Sequence, residues 1–494
     1  MKFLKSLIIL IYLISLRQVY AADVEISGTQ TTRENLQASS TLTIESGGTL
    51  DANLNNIVRG YIAAGNEIDN ATVVVESGGV IQGKSNTIMG RETSGLTVIN
   101  SGTIEATSSK AIQLQDAQGA TITNKSGGLI FANTNAIVQQ DATGAEDAEN
   151  TTISNAGTIY SEENRAIYFY DGATNATVTN ELGGTIYNLS NFATVQIDTS
   201  STLINKGTIK NRNSVSDVGI AIVGNDNTIT LKDKSILVGK IDGGATTGNT
   251  LEFQHGVGQG YYYETVGSFT LKDLDGNQVV KGSAGSVGQG GNETLDELLS
   301  YKSLNIRQFL NRYKDSKNLY DGNGWGETYT SLLNRKGHAA NLALEYDLFN
   351  VGANLISPLE NSDFILAFEA GTQDFETDHK IAYQNVSAGL YLPSNKYLLN
   401  LESFILGGIT LKESERKILT NTTSSGKLNI DSNYQTFEIH SGVTKTNSKL
   451  VPSVGLTGSF SITPSYDESK YYAWRNRKVG NVSVFFSDKY NLIN

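Results

Sequence analysis

LTVINSGTI (residues 96–104), ATITNKSGGLI (120–130), TTISNAGTI (151–159) and ATVTNELGGTI (176–186) are variants of one phrase. LTIESGGTL (42–50) and VVVESGGVI (73–81) precede them, and TLINKGTI (202–209) follows. Each copy alternates aliphatic or β-branched residues with polar ones, which is the period of a strand and not of a helix. A glycine marks the same place in every copy: Gly48, Gly79, Gly102, Gly128, Gly157, Gly184 and Gly207, at intervals of 31, 23, 26, 29, 27 and 23 residues. A constant phrase at uneven intervals fits coils of fixed cross-section whose loops vary in length. A third apolar element follows most copies: AIQLQ at 111, AIVQQ at 136, AIYFY at 166 and IAIVG at 220. Three short strands per coil, joined by bends, predict a right-handed parallel β-helix of roughly 40 Å, at about 4.8 Å per coil.

Strand alternation then assigns the side chains. Ile104, Ile130, Ile159, Ile186 and Ile209 form the inward ladder. Asn100, Asn155, Asn180 and Asn205 are expected at a bend, where Asn tolerates left-handed backbone and stacked amides form a hydrogen-bonded ladder. The glycine after each is expected to supply positive φ. The neighbouring outward residues are Asp51, Gln82, Glu105, Phe131, Tyr160, Tyr187 and Lys210, so three consecutive coils place an aromatic on one outer face. Two readings of Phe131, Tyr160 and Tyr187 stand open: a surface for a partner, or stacking that stabilises the sheet.

The rest of the chain sets the context. Of 494 residues 50 are Gly, but no Gly-X-Y period exists, which excludes collagen. A net charge of −12 argues against nucleic acid as a partner, because phosphate binding needs a basic face. With no Cys, thiol nucleophiles, thiolate metal sites and disulfides are all excluded. Residues 1–21 carry Lys2 and Lys5, an apolar run from Leu7 to Leu16, and Val19-Tyr20-Ala21, the pattern of a secretory signal peptide cut between Ala21 and Ala22. No later apolar run reaches about 18 residues, so membrane insertion must use a β-barrel.

Chemistry in the first half is sparse. His255 is its one histidine. AGSVG around Ser286 lacks the first glycine of a nucleophile elbow and reads as a linker. KDLDGNQ lacks calcium-loop spacing and reads as an Asp-Gly turn between FTLK and QVVK. Asp141, Glu146, Asp147 and Glu149 read as a solvated loop. No catalytic, cofactor-binding or metal-ligating residue is assigned, and the expectation is a non-enzymatic β-helix. The alternative is a polysaccharide-acting enzyme whose carboxylates come from several coils.

After residue 291 the period changes. Thr294 to Glu297 forms a capping box. Leu295, Leu298, Leu299, Ile306, Phe309 and Leu310 then share one face of a helix expected to about residue 318. Every Pro and both Trp lie beyond residue 320. There the pattern becomes long alternating strands, expected near 325–334, 339–349, 350–357, 363–375, 381–392, 397–412, 434–446 and 450–463, with 479–487 a possible ninth. DFILAFEAG places Phe364, Leu366, Phe368 and Ala370 on one face. KYLLNLESFILGGITL places Tyr397, Leu399, Leu401, Ile405 and Ile409 opposite Asn400, Glu402 and Gly408. Apolar-out, polar-in strands with aromatic ends (Tyr346, Phe349, Tyr391, Tyr397) predict a transmembrane β-barrel.

The order of leader, Asn/Gly-rich β-helix, junction, helix and barrel resembles that of the monomeric (type V) autotransporters of the Gram-negative outer membrane. GWGETYTSLL resembles their first barrel strand, NLALEYDLFNVGANL the following hairpin, and KLVPSVGLTGSFSITPSYDES a late strand pair. The resemblance implies domains at 1–21 (signal peptide), 22–256 (β-helix passenger), 257–291 (autochaperone-like junction), 292–320 (linker helix) and 321–494 (barrel). It also implies a monomer in contact with outer-membrane lipid and the barrel-assembly machinery, with the passenger, an adhesin for a cell-surface or extracellular partner, at the cell surface or released. Two departures are visible: the helix holds isolated Asn305 and Asn311 instead of the Asn-Asn pair at which some relatives cut themselves, and the sequence closes on Asn491-Leu492-Ile493-Asn494, not an aromatic. Eight or nine strands make a barrel too narrow for an internal helix about 10 Å across. The expectation is therefore an incomplete barrel, or a helix packed outside it.

Overall fold

A computed structural model describes residues 23–60, 68–141, 148–280, 284–287, 294–317, 324–336, 345–395, 401–445, 453–469 and 471–487. The leader with Ala21 and Ala22, the acidic residues Glu146 and Asp147, and Tyr397, Leu399, Asn400 and the last residues 491–494 lie outside them.

Among the described residues the protein is all-β with one helix. Its first part is a parallel β-helix of three sheets. Sheet A has eleven strands, from Val24–Ile26 to Thr270–Asp273; sheet B has nine, ending at Ile236–Val238; sheet C has ten, ending at Thr265–Val266. Every strand pairs in parallel with its equivalent one coil away, so like residues stack. Ile104, Ile130, Ile159, Ile186 and Ile209 face each other along sheet B with no exposed surface. Val98, Ile122, Ile153, Val178 and Leu203 form a second buried ladder in sheet A. The ladders run on to Asp273, into the segment assigned by sequence to the junction.

The amide ladder forms, but inside the core. Asn100, Asn124, Asn155, Asn180 and Asn205 end consecutive sheet A strands, all fully buried. Each Nδ2 donates to the next Oδ1, at 2.8, 2.8, 2.8 and 2.9 Å. Asn124 joins it although its copy carries an inserted Ser-Gly. These Asn have strand backbone, not left-handed backbone, and the marker glycines do not have positive φ either. That role falls to the first glycine of the Gly-Gly copies, as at Gly127 (φ 84°). The marker glycine answers to close approach: a Cβ on Gly157 would lie 2.3 Å from the Gly128 carbonyl oxygen of the coil below.

The C-terminal end of the core is closed by aromatics. Phe253 packs on strand β1 (Tyr261–Tyr263), with ring centroids 4.3 Å from Tyr261 and 5.7 Å from Tyr263. The His255 ring sits among them, Nε2 3.0 Å from the Tyr263 hydroxyl. Burial, with Lys234 nearby, lowers the His255 pKa to about 3. A histidine held neutral in the fold but free to charge when unfolded stabilises fully above its unfolded pKa near 6.5, and this contribution is lost as pH falls toward 3. We expect this one group to remove about 1.4 kcal/mol of stability per pH unit within that window. His255→Phe should flatten the same limb in unfolding titrations of the full chain; an unchanged slope would remove His255 as the cause.

Beyond the cap, β2 (Gln278–Val280) and β3 (Ala284–Val287) pair with each other, and β3 pairs with β1. The expected turn at KDLDGNQ exists, with the Asp273 carboxylate accepting from the Asp275 and Asn277 amides, at 2.9 and 3.0 Å. Its two strands do not pair as a hairpin, because FTLK stays in sheet A, where Phe253 and its neighbours continue the ladder. Helix α1 spans Leu295–Lys317.

Among the described residues eight long antiparallel strands follow: β4 (Trp325–Arg335), β5 (Tyr346–Pro358), β6 (Asp363–Phe375), β7 (His379–Asn395), β8 (Leu401–Thr420), β9 (Lys427–Lys445), β10 (Ser453–Thr463) and, after a short pair β11 (Tyr466–Glu468) and β12 (Tyr472–Trp474), β13 (Arg477–Ser487). The two strands expected at 339–349 and 350–357 are one in their described part, since Asn350 and Asn354 face inward as polar lining and do not turn the chain. Gly352 leaves room for the Tyr329 ring, which a Cβ there would meet at 2.3 Å. The segment 479–487 is a full wall strand. Of the aromatic ends, Phe349 faces out, but Tyr346 and Tyr391 fall on inward register positions and are buried against Phe375 and Tyr313. Helix α1 lies inside the curve of the wall.

Candidate functional site

The outer face of the wall is apolar. Phe349, Val351 and Leu355 on β5, Phe364 and Phe368 on β6, Val386 and Leu390 on β7, and Ile405, Ile409 and Leu411 on β8 are all at least 40 % exposed. Phe437 and Ile439 on β9, Leu456 and Phe460 on β10, and Val482 and Val484 on β13 continue the band. Such a contiguous apolar girdle far exceeds the scattered apolar surface of a soluble protein.

The inner face is polar and is occupied by α1. The Lys302 ammonium donates to Glu438 at 2.9 Å and to the Thr410 hydroxyl at 3.2 Å, with Glu369 4.0 Å away. Ser303 Oγ meets His440 Nδ1 at 2.8 Å, and His440 Nε2 lies 3.4 Å from Glu438. Nearer the C-terminal end, Arg312 grips Glu327 through two 2.7 Å bonds, and Lys317 lies 3.4 Å from Asp363. Lys314 pairs with Glu402. The helix thus presents cations to a ring of wall carboxylates. A residual cavity of about 20 Å³ beside Lys302, Asn305, Tyr329, Glu369 and His440 is room for about one water. Ser303, His440 and Glu438 have the residue types of a nucleophile triad, but all three are sealed between helix and wall. Their arrangement satisfies buried polar groups.

Sequence reasoning missed these residues, although a signal existed: Glu369 and Glu438 stand at inward positions of otherwise apolar-out strands. What the pattern does not reveal is which lysine they meet.

On the β-helix, Phe131, Tyr160 and Tyr187 are brought together on the outer face of sheet B. Their rings stack at 4.4 and 4.7 Å, and the Arg212 guanidinium lies 3.7 Å over Tyr187. Burial and the neighbouring Tyr187 raise the Tyr160 pKa, so its hydroxyl stays a neutral donor. Ring faces are used within the stack, while edges and hydroxyls meet solvent. One step further, Lys210 Nζ donates to the Ser424 carbonyl in the tip of the β8–β9 hairpin.

That hairpin is the joint between the two halves. β1 runs parallel to Leu419–Thr420 at the top of β8. The Gly239 amide donates to the Asn421 carbonyl at 3.0 Å; the Glu264 amide and carbonyl close a pair of bonds with the Asn421 side chain, at 2.8 and 2.9 Å. The Tyr472 hydroxyl donates to the Tyr261 carbonyl at 2.6 Å. Among the described residues no group of three His, Asp or Glu is placed to hold a metal, and no helix is long and apolar enough to cross a membrane, which says nothing of a β-barrel.

No family model, no curated protein and no solved structure matches this chain.

Proposed function

We propose that this chain is an outer-membrane autotransporter that displays its own β-helix passenger as a non-enzymatic adhesin. The observation that carries the reading is the inversion of the wall: a continuous apolar girdle outside, and buried charges gathered around a helix inside. A soluble sheet buries its apolar face; a wall that exposes it needs lipid. The hairpin weld then holds the β-helix upright on the wall's rim. Fractionation with protease shaving of intact cells tests this. We expect the chain in the outer membrane, solubilised only by detergent, with the passenger cut by external protease and the wall protected. A chain recovered in the soluble fraction overturns it.

Within this reading, Phe131, Tyr160 and Tyr187 carry adhesion through their edges and hydroxyls. The triple Ser variant should lose most adhesion to target cells while retaining the parent's protease resistance. Equal adhesion would leave the rings a stacking role alone.

A further inference from the structure

Register sorts the outward side chains of the wall's central strands, β5 to β9, into rows. Val351, Ala370, Gln384, Leu411 and Gln435 face one another across the five strands. One row nearer the β-helix stand Phe349, Thr372, Ala382, Glu413 and Asn433. The next row is Asp347, Asp374, Lys380, Glu415 and Asp431. The outer face thus passes from apolar girdle to charge within three rows, about 13 Å at two residues per row.

The first two rows hold a groove of about 860 Å³, within the size of a site for one small molecule. Its floor is small: Ala370, Thr372 and Ala382 on β6 and β7. Its sides are large, Phe349 on β5 and Leu411 on β8, 46 % and 56 % exposed. Farther from the β-helix, the same strands carry Phe364, Phe368, Leu390 and Ile405 at outward positions. At the end toward the β-helix the groove meets Glu413 and Asn433. The row beyond it is acidic. Lys380 is its one cation, with the ammonium 3.9 Å from Asp374. Among the described residues Glu413, Glu415 and Asp431 form no ion pair, and all three are exposed.

We propose that this groove seats one membrane lipid whose head group carries an ammonium. The proposal rests on the membrane reading above. The occupant follows from the gradient along the groove. Its lower part opens within the apolar girdle, where in a bilayer an acyl chain meets Phe349, Val351 and Leu411. A convex face touches such a chain on one side only. The small floor between two large side chains touches it on three, so more dispersion contacts hold it in place. At the polar end the head group meets Glu413, with Asp374 and Glu415 one row further. Carboxylates without a cation of their own attract an ammonium and repel a head that is purely anionic. Lys380 stands between Asp374 and Glu415 in that row and is placed to take the phosphate of a zwitterionic head. A lipid of the phosphatidylethanolamine kind therefore fits, and one of the phosphatidylglycerol kind meets the acidic row without an ammonium.

The test uses the full chain extracted from outer membranes in mild detergent and stripped of lipid. Short-chain phosphatidylethanolamine and phosphatidylglycerol are added separately, and bound lipid is counted by native mass spectrometry. We expect one phosphatidylethanolamine per chain, bound about tenfold more tightly than phosphatidylglycerol. Ala382→Trp, which fills the floor, should remove this binding, whereas Ala388→Trp, on the same outward face of β7 but outside the groove, should keep it. Asp374→Asn/Glu415→Gln should leave the groove open and erase the preference between the two lipids. Three results overturn the proposal: no lipid bound by the parent, equal binding of both lipids by the parent, or unchanged binding by Ala382→Trp. A chain that never reaches the outer membrane would instead overturn the membrane reading, so the two failures are distinguishable.

Discussion

Replacing Ile159 with Asp is expected to abolish folding of the β-helix. Ile159 has no exposed surface and is stacked between Ile130 and Ile186 one coil away on either side. No cation lies inside this ladder to pair with a carboxylate. The substitution forfeits the packing of a buried aliphatic, about 2–5 kcal/mol, and adds a buried carboxylate whose effective penalty is several kcal/mol more. Their sum is comparable with the whole stability of a typical domain. The measurement is cooperative melting of the purified full chain, with protease resistance of the β-helix as a second readout. Tyr160→Ser, at the adjacent outward position, should by contrast change little. If Ile159→Asp melted within a few degrees of the parent, the stacked Ile ladder could not be the core.

The second large effect belongs to the lumen. Glu438→Leu removes the carboxylate that receives Lys302, in a place where the two side chains are 1 % and 9 % exposed. The ammonium is left with Thr410 and a more distant Glu369 at 4.0 Å. Breaking a buried pair in this way costs about 3–5 kcal/mol. The double variant Lys302→Met/Glu438→Leu replaces both charges with apolar groups and is expected to recover much of the loss. Gel mobility of the unheated protein against temperature reads the effect. The single variant should unfold at a markedly lower temperature than parent or double variant. Losses that simply add would show that the two groups are not coupled.

Which features were legible from the chain depends on how far apart the interacting residues lie. The β-helix core is written in one phrase, because a parallel solenoid places residue after equivalent residue at every coil. A repeat in sequence is then a ladder in space, and the inward Ile, the stacked Asn and the outward aromatics all follow from alternation. The misreadings concern backbone. The phrase places the marker glycines in a turn conformation, whereas the constraint is the carbonyl of the neighbouring coil, which a single phrase does not contain. Asn350 resembled a turn because polar residues break apolar runs, yet in a wall with a polar interior an inward Asn is lining.

The sequence by itself determined the parallel β-helix, helix α1 to within a residue or so at each end, and the apolar-out alternation of the wall strands, since each is a matter of local period. Only the tertiary structure decided that α1 lies inside the wall, that Lys302 meets Glu438 across 136 residues of chain, and that the β8–β9 hairpin grips the base of the β-helix. It also decided where the helix sits relative to the narrow barrel: among the described residues eight strands curve around it and no ladder joins the first to the last. These outcomes depend on curvature and on charges brought together from distant strands, and neither is a property of any one segment.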